Sequence, residues 1–327
     1  MNVLKTAAGR IDPMKAWEPI RQGSNLRSFV WSASGFHQFY VGAVALGVSL
    51  LNFVPIELQR RIIDEAVGHR DIRKLAVLGC FYLAVLLAYS CLKFVLMIYQ
   101  GWVGESATKA ARDQLAGVAS HRHGRPVEAG GQTANVIGNE IDSVGGFVGT
   151  SISEFVVNVS MTVVVFTYIT YMEPVVALFS AGALVPQFII ARYLQQSLNE
   201  LVERQIMLVR KLGDQAADHS SPRMDMLHAA LRTTRTIFRN RMELYLLKFG
   251  LKTLLSIANA FGSLSVLIVG GYLVIKGQTT IGTVVAFISG FQRLSDPVGD
   301  LLDFYRSYSQ TRVQYQMILD WIGRGPL

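Results

Sequence analysis

Three aspartates lie on one stripe of a segment that begins as an apolar run. Asp296, Asp300 and Asp303 follow an i, i+4, i+7 spacing, which places their side chains on one face of an α-helix. Helical rise from Ile281 puts the stripe about 22 to 33 Å along the segment, near a bilayer boundary rather than its centre. The stripe could attract a cationic or amphipathic molecule. Ion pairs with nearby arginines or another helix, or simple hydration, would also explain it.

Two further charges of opposite sign lie in or at the end of apolar runs. Lys93 and Glu154 both fall roughly 27 to 29 Å from the outer ends of their segments. Charged groups at such a depth usually pair or face water. We therefore predict a Lys93–Glu154 ion pair, within one chain or between two. Neither residue has a nucleophile or general base nearby, so we expect no catalytic site and no enzymatic activity in this chain.

The cysteines and histidines do not follow a metal-binding pattern. Cys80 and Cys91 share one apolar run and lie about 16 Å apart along a helix, too far for a disulfide. His121 and His123 would point to opposite sides of any helix. No stretch matches the phosphate-binding pattern GxxxxGK[ST]. We therefore expect no metal and no cofactor bound by this chain, and no nucleic-acid partner.

The composition is that of a membrane protein. Of 327 residues, 51% are hydrophobic and 17% are charged, whereas soluble domains carry about 25% charged residues. Six apolar runs have about the length that crosses a bilayer's hydrocarbon, which takes roughly 20 helical residues. They cover residues 36–54, 75–99, 155–172, 175–191, 254–275 and 281–300. The predicted fold class is an all-α membrane protein with six transmembrane helices.

The links between these runs are unequal in length. The two long links, the N-terminal residues 1–35 and the segment after residue 300 carry most of the 31 lysines and arginines. The positive-inside tendency places that face, with both termini, in the cytoplasm. Residues 1–35 are predicted to be a cytoplasmic leader with a short interfacial helix, or a plain cytosolic leader.

Several apolar runs continue into helix-compatible polar sequence. The sixth run is predicted to continue to about residue 322, some 60 Å at helical rise. Pro297 is expected to kink this helix without ending it, because the apolar pattern resumes afterwards. The predicted spans therefore have long cytoplasmic extensions.

Four motifs, taken in order, resemble the transmembrane domain of ABC exporters. They are IDEAVGHRDIRKL in the first link, ARDQLAGVASH followed by GGQTANVIGNEIDSV, GQTTIGTVVAF before the sixth run, and DPVGDL within it. The resemblance extends over residues 36–327 as one six-helix domain. The chain departs from the family pattern at Ala230, Asn240, Thr279 and Gln316-Met317.

The resemblance implies a function and its partners. Two six-helix membrane subunits would pair as a homo- or heterodimer in a bacterial inner membrane and form a substrate pathway. The sixth helix would line this pathway with Arg293, Asp296, Asp300 and Asp303. A nucleotide-binding ATPase, on a separate chain or a further domain, would hold ATP and magnesium. Coupling helices would touch it at residues 120–129 and 219–230, unless these are solvated loops. The expected contact residues are Arg122, His123, Arg125, Pro126, Pro222, Arg223 and Asp225.

Two rival functions stay open at this point. A transporter of related shape could use the proton gradient, with Glu154 and the aspartates relaying protons. A scaffold protein without transport activity is the other alternative.

Overall fold

A computed structural model describes residues 12–13, 20, 24–120, 138, 140–217 and 223–323, and all regular elements within these residues are helices. The predicted all-α class is confirmed. The helices are α1 (Leu26–Ser34), α2 (His37–Arg61, continued by the π-helix Ile62–Val67), α3 (Ile72–Ser120), α4 (Ile141–Met172), α5 (Pro174–Ala217), α6 (Arg223–Ile275) and α7 (Ile281–Gly323).

Helices α3, α5, α6 and α7 are far longer than a bilayer is thick. They contain 49, 44, 53 and 43 residues. At helical rise they measure roughly 65 to 80 Å, against about 40 to 45 Å for a bilayer with its headgroups. Helix α7 is continuous through Pro297 and is described as far as Gly323, so it includes the predicted stretch to residue 322.

Four segments are long and apolar enough to cross a membrane: His37–Val67, Ile72–Ser120, Ile141–Met172 and Leu227–Ile275. They contain four of the six predicted spans and indicate an integral membrane protein. The other two predicted spans, 175–191 and 281–300, lie in α5 and α7, which are not among the four. Several side chains in these two helices lie outside the described part of the structure. The count of six spans therefore stays a prediction.

The chain divides into two compact units. The first contains Met1–Ala43, Val95–Ser153 and Ser307–Leu327, and the second contains Val44–Phe94 and Glu154–Arg306. The second unit has an apolar core drawn from α2, α4, α5, α6 and α7. Its fully buried members include Ile56, Val165, Ile169, Val176, Val266, Phe287 and Phe291.

In the first unit, α1 packs through its apolar face. Leu26, Phe29 and Val30 are buried, and the ring of Phe29 lies 5.1 Å from that of Tyr315 on α7. The turn from α1 to α2 passes through Gly35, whose φ of 48° favours glycine. This turn places a short amphipathic helix directly before the first membrane-spanning candidate.

Candidate substrate pathway

Three carboxylates meet where α4 contacts α7 in the second unit. Glu154 on α4 lies close enough to Asp300 and Asp303 on α7 for like-charge repulsion among them. The rings of Phe155 and Phe304 pack 5.6 Å apart beside these charges. The structure therefore joins Glu154 to the predicted aspartate stripe. We call Glu154, Asp300 and Asp303 the acidic cluster.

Arg306 is paired with Asp303 of the acidic cluster. The Arg306 guanidinium lies 3.0 Å from Asp303 Oδ1, and the Asp303 side chain is 67% exposed. A pair this exposed contributes at most about 1 kcal/mol of stability. A cluster of three carboxylates is suited to attract a cation. The side chain of Asp296, the first member of the predicted stripe, lies outside the described residues.

Arg293 is bound to α2. Its guanidinium donates to the Asn52 backbone oxygen at 2.7 Å and also to the Asn52 side-chain oxygen. Arg293 is only partly exposed. This contact ties α7 to α2, and the role of Arg293 in a substrate pathway stays a prediction.

Lys93 and Glu154 form no ion pair within the described chain. The Lys93 ammonium lies 5.9 Å from the centroid of the Tyr89 ring, one helical turn earlier on α3, and the side chain is exposed. This geometry is that of a weak cation–π contact. The predicted Lys93–Glu154 bridge is therefore limited to a contact between two chains, where it stays a prediction.

The predicted coupling residues lie mostly outside the described structure. Helix α3 is described as far as Ser120 and α5 as far as Ala217, next to the two predicted coupling segments. Residues outside the description are Arg122, His123, Arg125, Pro126 and Pro222. Arg223 and Asp225 belong to the first turn of α6, with side chains that are not described. Their role in ATPase contact stays a prediction.

A contact at the start of α7 joins residues that sequence patterns do not bring together. Asp64, in the π-helix after α2, accepts a hydrogen bond from Thr280 Oγ1 at 2.6 Å and another from the Gly282 N–H at 2.9 Å. Thr280 Oγ1 in turn accepts from the Thr283 N–H at 3.2 Å. A Cβ on Gly282 would lie 2.5 Å from the Asp64 carboxyl carbon, so this close approach requires glycine. We call Asp64, Thr280 and Gly282 the α7 clamp.

A second polar network lies beside the clamp. Glu57 accepts hydrogen bonds from Arg60 at 2.6 Å, from Arg61 at 2.8 Å and from the Tyr168 hydroxyl at 2.8 Å. The arginines follow Glu57 at helical spacings of three and four, a local signal visible in the sequence. The contact from Tyr168 carries no such signal, because 111 residues separate it from Glu57.

Neither a protein-family model nor a curated protein matches this chain. The resemblance to ABC exporters therefore rests on the motifs alone. In the described residues, no group of three or more histidine, cysteine, aspartate or glutamate side chains is arranged to hold a metal ion. The geometry instead offers an acidic cluster between α4 and α7, together with four helices of 43 to 53 residues, α3, α5, α6 and α7.

Proposed function

We propose that this chain is the membrane subunit of an ABC-exporter-type transporter. Two such subunits would form the substrate pathway, and an ATPase on a partner chain or further domain would drive it. The observation that carries the proposal is the length of α3, α5, α6 and α7. Helices of roughly 65 to 80 Å must project about 20 Å or more beyond a bilayer. Rigid projections of this kind can transmit a displacement from an aqueous partner to the membrane.

The α5–α6 hairpin is built to carry such a displacement. The Asn240 side-chain amide donates to the Leu201 backbone oxygen at 2.9 Å and to Gln205 Oε1 at 3.1 Å. Nearer the hairpin's turn, the Thr233 hydroxyl donates to Gln215 Oε1 at 2.8 Å. These side-chain hydrogen bonds, at two places along the pair, keep the two long helices in register. A force applied at residues 219–230, the second predicted coupling segment, would therefore move both helices.

The α3–α4 connection has a comparable fastening in the first unit. The Arg112 guanidinium lies 2.5 Å from Asp142 Oδ1 and donates to the Gly138 backbone oxygen at 3.2 Å. These bonds connect α3 with residues 138 and 142, which follow the first coupling segment, residues 120–129, in the chain. Both segments thus follow helices that are fastened to their neighbours, as a mechanical coupling requires.

The proposed substrate is a cation or cationic amphiphile that passes the acidic cluster. The protein would reside in a bacterial inner membrane with both termini in the cytoplasm. The test is ATP-dependent uptake of a fluorescent lipophilic cation into inside-out vesicles that contain the protein and its ATPase. Reversing charge at the coupling segments (Arg122→Glu with Arg125→Glu, or Arg223→Glu) should abolish uptake and detach the ATPase.

The control is Arg239→Glu, an exposed arginine on α6 outside both coupling segments, which should change neither property. ATP-dependent uptake that survives both charge reversals would overturn the coupling. Absence of any flux, with or without ATP, would favour a scaffold role.

One observation favours the proton-driven alternative. Glu154 lies within electrostatic range of Asp300 and Asp303, and neighbouring carboxylates disfavour each other's charged form, so such a group is suited to hold a proton. Under this alternative, an imposed pH gradient would drive dye uptake without ATP, and Glu154→Gln would abolish it. Under the ABC proposal, a pH gradient without ATP should drive no dye uptake.

A further inference from the structure

A cavity in the first unit gathers basic and hydroxyl side chains that the proposed transport function does not use. It has a volume of about 280 Å³ and lies between the start of α1 and the last third of α7. Its lining consists of Ser24, Asn25, Leu26, Arg27, Tyr308, Arg312, Tyr315 and Gln316. Among the described residues that line it, two are arginines and none is a carboxylate, so its electrostatic preference is for an anion.

The two arginines are available to a ligand. Arg27 stacks over the Tyr308 ring, with the guanidinium carbon 5.6 Å from the ring centroid. In the part of the chain that the structure describes, neither Arg27 nor Arg312 has a carboxylate partner, and both are exposed. Arginine presents several N–H donors in a fork that matches the oxygens of a phosphate.

Other donors converge on the same cavity. The Tyr315 hydroxyl lies 2.6 Å from Ser24 Oγ, and burial raises the pKa of Tyr315, so this hydroxyl stays protonated and uncharged. The first N–H groups of α1 lack intrahelical acceptors, and the Asn25 side chain does not cap them. A helix start adds to the preference for negative charge.

The position of the cavity indicates where the anion comes from. Helix α1 contains nine residues, about 13 Å, and ends at Ser34, just before the spanning candidate His37–Val67. Trp31 and Phe36 are 58% and 84% exposed along this stretch, as expected of side chains at a membrane interface. The cavity is also smaller than the roughly 300 to 1,000 Å³ of sites for drug-sized ligands. A lipid headgroup fits both the position and the volume.

We propose that Arg27 and Arg312, with the start of α1 and the Tyr308 and Tyr315 side chains, bind the phosphate of an anionic phospholipid at the membrane surface. The bound headgroup would link α1 to α7 through a shared counter-ion. This site is independent of the transported substrate and of the ATPase.

The test uses the full chain, purified in detergent micelles and titrated with phosphatidylglycerol or phosphatidylcholine, with thermal unfolding as the readout. A ligand that binds only the folded protein raises its Tm as its concentration increases. Phosphatidylglycerol should raise the Tm and phosphatidylcholine should not. Replacing both arginines (Arg27→Gln with Arg312→Gln) should weaken the phosphatidylglycerol response at least about tenfold, because hydrogen bonds to charged groups are removed.

A matched control separates the site from net charge. Arg239→Gln with Arg241→Gln removes two exposed arginines from α6 and should keep the wild-type response. Arg312→Lys keeps the positive charge but loses the forked N–H donors of the guanidinium. Its rise in Tm with phosphatidylglycerol should lie between those of wild type and the double variant. Circular dichroism confirms that each variant is folded, and Arg312→Lys serves as the test if the double variant is not.

Three results would overturn the proposal. One is an unchanged phosphatidylglycerol response in the site variants, and another is an equal response to phosphatidylcholine. The third is equal protection by glycerol phosphate or inorganic phosphate without lipid, which would assign the cavity to a soluble anion instead.

Discussion

The α7 clamp makes a quantitative prediction, because three hydrogen bonds fix where α7 begins. The Asp64 side chain is only 18% exposed and accepts from Thr280 and from the Gly282 N–H. Hydrogen bonds to a charged acceptor contribute about 1.5 to 3 kcal/mol each. Asp64→Ala removes both hydrogen bonds, but at this partly exposed site water can bind the Thr280 hydroxyl and the Gly282 N–H that lose their acceptor. We therefore expect a loss of about 2 to 3 kcal/mol in the free energy of unfolding.

A double-mutant cycle isolates this contact from other effects of the substitutions. Asp64→Ala, Thr280→Val and the double variant should show a coupling energy of about 1 kcal/mol or more, as expected for residues in direct contact. The measurement is reversible denaturant unfolding in mixed micelles, with circular dichroism as the signal. Asp64→Asn should fall between wild type and Asp64→Ala, since an amide oxygen still accepts one of the bonds.

Asp71 provides a matched control on the same link. Its Oδ1 accepts from the Arg73 and Lys74 N–H groups, each at 3.0 Å, so it caps α3, and among the described residues its side chain has no hydrogen bond to α7. Asp71→Ala should cost about 0.5 to 2 kcal/mol, typical of a lost helix cap, and show no coupling to Thr280→Val. Additive free energies for Asp64→Ala and Thr280→Val would refute the clamp.

Three further predictions concern single residues. Gly282→Ala should lower the free energy of unfolding by about 1 to 3 kcal/mol, because the added Cβ would overlap Asp64. Gly271→Ala is the control, since a Cβ there meets open space and should not lower the free energy of unfolding in this way. Glu154→Gln should weaken binding of a lipophilic cation by roughly fivefold in equilibrium dialysis, while Glu105→Gln on α3 should not. Tyr315→Phe should cost about 1 kcal/mol at neutral pH. Because the pKa of Tyr315 is raised in the folded state, its stabilising contribution is full below about pH 10 and disappears as the pH rises through that raised value. The unfolding temperatures of wild type and Tyr315→Phe should therefore converge at strongly alkaline pH, and a gap that stays constant would contradict this assignment.

Helix type and extent were accessible from the sequence, because both depend on short-range patterns. Long apolar runs that continue into polar, glycine-poor sequence predict long helices, and the structure has them. Three helices contain a proline and still continue past it: α2 contains Pro55, α5 contains Pro186 and α7 contains Pro297. A proline removes one backbone hydrogen bond and kinks a helix, but packing against neighbouring helices can keep the helix continuous.

The partners of individual polar side chains were not accessible, because they depend on packing between distant segments. Arg293 is separated by 241 residues from Asn52, and Asp64 by 216 residues from Thr280. Charge pattern alone favoured pairing Lys93 with Glu154 and leaving Arg293 beside the aspartates. Within one chain the structure places Glu154 near Asp300 and Asp303 and bonds Arg293 to Asn52, since the rotation of each helix about its axis decides which polar groups meet.

These partner choices sharpen the proposed substrate class. Arg293 donates to Asn52 on α2. Glu154 lies near Asp300 and Asp303, so the α4–α7 contact carries one more negative charge than the predicted aspartate stripe alone. At an effective dielectric constant of about 20, two unit charges about 4 Å apart interact with about 4 kcal/mol. The added negative charge should exclude anionic amphiphiles from the pathway while cations of similar size and hydrophobicity bind. Equal competition by a lipophilic anion and a lipophilic cation in the dialysis experiment would show that the acidic cluster does not line the pathway.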